Sequence, residues 1–106
     1  MTGVAFLGSA FDDGDTVAAG SGDVFVNNIP AARLGDMTMG HGAPGHGFYP
    51  PVPIIDGSGS VFANNLPIAS IGSKHAVHCD TGFPHDPPPD CHDGAIVVGS
   101  TDVITG

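Results

Sequence analysis

The chain has 106 residues and eleven acidic side chains, all aspartate, opposed only by Arg33 and Lys74, for a formal charge of −9. Such a surface repels phosphate backbones and anionic lipid headgroups, which excludes nucleic-acid binding. Glu and Gln are absent and Leu occurs only three times, whereas Val, Ile, Thr and Phe carry the apolar load, so a helical domain is excluded and one mainly β domain over 1–106 is expected.

In chain order, Val4-Ala5-Phe6-Leu7 reads as a short apolar strand, followed by a turn at Asp12-Asp13-Gly14-Asp15 and a short run Thr16–Ala19. The aspartates lack the spacing and closing Glu of a calcium loop, which leaves turn chemistry as their reading. Gly20 to Asp36, GSGDVFVNNIPAARLGD, then packs a turn, a strand, a corner and a return strand into seventeen residues. Asn27-Asn28 suit the positive φ of a two-residue hairpin loop, and Pro30, which cannot donate to a ladder, marks an edge or a strand start. The unit returns at Gly57 to Ser73 as GSGSVFANNLPIASIGS with a constant offset of 37, and its first half returns from Gly99 as GSTDVITG. Units of this size cannot bury an apolar face alone, so the copies must pack on one another.

Two inserts separate the copies. Met37 to Asp56 holds two His-Gly pairs before an extended run bearing Pro50, Pro51 and Pro53; Lys74 to Asp93 gathers four His and both Cys into twenty residues. Six His and two Cys exceed the needs of packing, and His with Cys is the set preferred by a closed tetrahedral zinc site, although the spacing is not that of a zinc finger. A small chain also gains most from such a crosslink. His41 lies 37 residues before His78, the repeat offset. The other reading of the cysteines is a Cys79–Cys91 disulfide closing a Pro-rich loop. His75 and His85 read as loop or surface histidines. A zincin helix, a nucleophile elbow and a phosphate-cradling Gly-Lys-Ser/Thr are all missing, so no enzyme is expected.

Pro30-Ala31-Ala32-Arg33 with Leu34-Gly35-Asp36 resembles the signature of the PAAR-repeat family, the tips of contractile injection machines such as type VI secretion systems and phage tails. The second copy departs from it, with Ile68-Ala69-Ser70 for Ala-Ala-Arg and Gly72-Ser73 for Gly-Asp. The resemblance implies a single-domain cone of β-hairpin repeats with pseudo-threefold symmetry, pinned at its apex by a structural Zn²⁺ held by three His and one Cys. Carried onto this chain the ligands are His46, His78, Cys79 and His92, with His41 the alternate for His46 and Cys91 for Cys79. Neighbours in a strand point to opposite faces, so Cys91 replaces Cys79 if that segment is extended.

At the other end the resemblance implies a three-sided base, with Val24, Phe25, Val61, Phe62 and Val103 in or beside it, capping one trimeric β-helical spike per tip. The expected function is to sharpen that spike and help pierce a target membrane by transient contact, without homo-oligomerisation. Assembly in the cytoplasm and export within the apparatus or virion tail is expected, because the start lacks the basic region and apolar core of a signal peptide and no stretch approaches the ~18 apolar residues of a span. A free-standing metal-binding module or a β-solenoid-like binder is the competing reading.

Overall fold

The computed structural model describes residues 2–42, 48–79 and 91–105. Among them five antiparallel pairs form from strands of two residues each: β1 (Thr2–Gly3) with β10 (Ile104–Thr105), β2 (Phe25–Val26) with β3 (Ile29–Pro30), β4 (His41–Gly42) with β5 (Phe48–Tyr49), β6 (Phe62–Ala63) with β7 (Leu66–Pro67), and β8 (His78–Cys79) with β9 (Cys91–His92). The Asn-Asn corners form as the sequence predicts: φ is 50° and 70° at Asn27 and Asn28, and 53° and 65° at Asn64 and Asn65. Two consecutive positive φ values give the turn whose twist matches flanking strands, and the registers Val26↔Ile29 and Ala63↔Leu66 enclose it. In the last copy β10 is paired by β1 from the start of the chain, Thr2 opposite Thr105. Each copy opens on a serine whose hydroxyl accepts two amides: Ser21 from Asp23 and Val24, Ser58 from Ser60 and Val61, Ser100 from Asp102 and Val103. This local bonding explains why Ser follows Gly at all three starts.

Behind these hairpins the backbone closes on itself twice. In the first tier Ala5 donates to the Ala69 carbonyl at 2.9 Å, Ala69 to Ala32 at 2.9 Å and Ala32 to Ala5 at 3.0 Å. Bridges Phe6↔Ala31, Arg33↔Ile68 and Val4↔Ser70 flank that circuit. All three alanines are fully buried, and a methyl is what fits where three chains converge this closely. Turns through Gly8, Gly35 and Gly72, with φ of 92°, 91° and 98°, carry the chain to the next tier.

The second tier is a circuit of six short segments joined by Ala10↔Thr16, Val17↔Thr38, Met37↔Pro53, Ile54↔His75, Lys74↔Ala95 and Ile96↔Phe11. Phe11, Val17, Ile54 and Ile96 pack inside it with the alanines, while Val4, Val26, Ala31, Ala63 and Ile68 form a second apolar cluster toward the Asn-Asn hairpins. The result is elongated, 44 × 23 × 21 Å, with two nearly equal short axes. From the far side of the second tier the chain makes three excursions, described at 12–15, at 39–42 with 48–52, and at 76–79 with 91–94, which hold the polar residues treated next.

Ala32→Leu tests the first circuit. Extra methylenes at a convergent, fully buried site force backbone shifts, and urea denaturation is expected to report a loss of about 1–3 kcal/mol.

Candidate metal centre

The three excursions deliver four side chains to one point. The 12–15 turn supplies Asp13, the β4–β5 pair His41, and the β8–β9 pair both His78 and His92, which face each other across it. The Nε2 atoms lie 3.2 Å apart for His41 and His78, 3.1 Å for His41 and His92, and 3.0 Å for His78 and His92. Asp13 Oδ2 completes the figure at 3.6, 3.4 and 3.1 Å from His41, His78 and His92. A tetrahedral ion with bonds of about 2.0–2.1 Å has donor–donor edges of roughly 3.3 Å, the size of all six separations here. Lone pairs aimed at one point repel unless a cation lies among them. This His/Asp cluster can hold a metal ion.

Surrounding contacts fix each ligand. His78 Nδ1 faces the Pro50 carbonyl at 2.9 Å, and since a carbonyl only accepts, the proton sits on Nδ1 and Nε2 presents its lone pair. Tyr49, buried, stacks on His41 with centroids 4.8 Å apart and lies 4.3 Å from the His92 ring. Asp13 Oδ1 accepts the Asp15 amide at 3.0 Å, and its Oδ2 meets His75 Nε2 at 2.7 Å. Burial works against the Asp13 carboxylate, yet the Asp15 amide, the hydrogen bond and charge of His75 and the charge of His41 together hold its pKa below the usual value. Gly94 passes directly beneath this pair: a Cβ there would stand 2.7 Å from Asp13 Cγ and 2.9 Å from His75 Nε2.

Asp15 is also fully buried. Its Oδ1 accepts the Thr16 and Gly40 amides at 2.8 and 2.9 Å, while Oδ2 has no hydrogen-bond partner among the described residues. With His75 and His78 it forms a second group of donors, sharing His78 with the first.

Several expectations change. Cys79 and Cys91 are joined in a disulfide, so neither offers the thiolate that ligates metal, and Asp13 stands where a cysteine was expected. The strand register explains this: β8 and β9 place His78 opposite His92 and Cys79 opposite Cys91, and alternation turns the two pairs to opposite faces. His41, the alternate, is in the cluster; His46 lies outside the described residues, as does His85. His75 is not a surface histidine but wholly buried behind Asp13. Asp13 and Tyr49 carried no metal signal in the sequence, although Asp13-Gly14 echoes Asp93-Gly94, and those two turns do meet here.

At the opposite end Val24 is half-buried against the apolar cluster, whereas Phe25, Val61, Phe62 and Val103 are exposed. Ile104, which the sequence reading did not single out, stands in the last copy where Phe25 and Phe62 stand in the others.

Fold and cluster define a small, mainly β domain of hairpins with a His/Asp group of the size and donor set to hold a metal ion. A family profile described as the PAAR motif matches residues 7–81, and the chain therefore belongs to the PAAR motif family. Membership implies a spike-tip protein of a type VI secretion apparatus, of a structural and generally non-enzymatic kind. A search of curated proteins finds no match.

His75→Ala removes the partner of Asp13 without touching the Asp13, His41, His78 and His92 group. Competition with a chromophoric chelator is expected to show metal affinity reduced about 10–100-fold, the usual effect of losing such a partner.

Proposed function

We propose that the protein is a structural tip that caps and sharpens one trimeric β-helical spike of a contractile injection machine and helps it pierce the target membrane. The observation that carries this reading is the triplet Phe25, Phe62 and Ile104. These residues occupy the same position in three successive copies, and they are 53, 54 and 52% exposed. The closed alanine circuit joins the copies, giving a base with pseudo-threefold character suited to three identical subunits. Apolar side chains repeated at this exposure suit burial against a partner. Exposed hairpin edges there can also continue the partner's sheet.

At the far end the ion is proposed to be Zn²⁺, held by His41, His78, His92 and Asp13. Four protein ligands leave no open position, so the metal would crosslink rather than activate water. It would tie the three excursions to one apex, where axial load tends to splay a tip. The β8–β9 disulfide adds a second crosslink to the same hairpin, and by loop entropy a loop of this length contributes about 3 kcal/mol.

Two measurements test the reading. The triple variant Phe25→Asp, Phe62→Asp, Ile104→Asp is expected to keep one metal per chain and lose binding to a blunt trimeric β-helical spike; undiminished binding rejects the base. Removing the metal with a chelator is expected to lower the thermal midpoint, and an unchanged midpoint rejects the structural role of the ion.

A further inference from the structure

In the first full copy Arg33 is held by four acceptors. Its Nε reaches Asp36 Oδ2 at 3.0 Å, one terminal nitrogen reaches Asp36 Oδ1 at 2.8 Å and the Gly20 carbonyl at 3.3 Å, and the other reaches Asn64 Oδ1 at 3.1 Å. Thirty-seven residues later the backbone is the same but the side chains are not. The Ser70 amide donates to Ser73 Oγ at 3.1 Å as the Arg33 amide donates to Asp36 Oδ2 at 2.8 Å. The Ser73 amide returns to the Ser70 carbonyl at 2.9 Å as Asp36 returns to Arg33 at 3.0 Å. Serine thus replaces both members of the ion pair in an unchanged frame.

The missing side chains leave an open cleft of about 260 Å³, lined among others by Asp56, Gly57, Ser70, Ser73 and Thr105. Gly57 is the counterpart of Gly20, whose carbonyl accepts from Arg33. Asp56 is the counterpart of Ala19, so this copy, which lacks the acid at position 73, brings one from another side. Among the described residues the Asp56 carboxylate has no hydrogen bond or ion pair, and the residues lining the cleft include no cation. A carboxylate residue and several hydroxyl residues around one space match a planar fork of five donors better than a compact ammonium.

We propose that this cleft receives a guanidinium group, the side chain of an arginine on a docking protein, seated on Asp56, Gly57 and the serine hydroxyls as Arg33 is seated one copy earlier. That the arginine belongs to a spike rests on the function proposed above; the chemistry of the cleft does not.

Amide NMR titration of the full chain with N-acetyl-arginine amide, a mimic of arginine within a chain, tests the proposal. Saturable shifts are expected at Gly57, Ser70, Ser73 and Thr105, weaker with free arginine, whose carboxylate meets Asp56, and absent with the uncharged citrulline analogue. Asp56→Asn is expected to weaken binding about tenfold, the loss of one charge-assisted contact. Equal shifts with citrulline, no shifts, or binding indifferent to Asp56→Asn would overturn it. A second variant, Ser70→Arg with Ser73→Asp, rebuilds the earlier arrangement inside the cleft. It is expected to abolish the titration and to leave the thermal midpoint equal or higher, whereas a lowered midpoint means that the space does not have the shape of the group. Because no spike is present, these outcomes are separate from the fate of the capping role.

Discussion

Three amide-to-carbonyl hydrogen bonds, running from Ala5 to Ala69 to Ala32 and back to Ala5, hold this chain in register. A closed circuit leaves no free backbone edge at that level, and it joins segments far apart in sequence. The alanines are fully buried, packed with Phe11, Val17, Ile54 and Ile96 in one apolar cluster and adjoined by a second toward the hairpins. Everything on either side is positioned by this closure. Hairpins leave it toward one end, and glycine turns lead from it to the second circuit and the His/Asp group at the other. A chain with so little regular secondary structure is ordered mainly by such long-range bonds and by local serine and asparagine chemistry.

Much of the hairpin end is legible in the residues, because its causes are local. Asn-Asn announces a corner of positive φ, Gly-Ser announces a bonded turn, and Pro30 announces an edge. The constant offset of 37 between the two full copies also points to mutual packing. The pairing of β1 with β10 is different, since nothing near Thr2 signals that it completes the last copy.

The metal end is only partly legible. A surplus of histidines points to metal and the repeat offset links His41 to His78, but which donors converge depends on the second circuit. That circuit aims the 12–15 turn inward, making Asp13 a donor and burying His75 behind it. The cysteines were ambiguous for a related reason: their partner depends on strand register, which sets whether sulfur and imidazole share a face. Here they do not, and the same two-residue ladder carries a covalent link on one side and a pair of imidazoles on the other.

Phe6, Arg33 and Ser70 occupy one backbone setting in three segments of the alanine circuit, yet they offer an aromatic ring, a cation and a hydroxyl. One backbone frame thus presents three chemically unlike faces. A ligand that fits one of these faces is therefore not expected to fit the other two, although the buried alanines behind all three are the same.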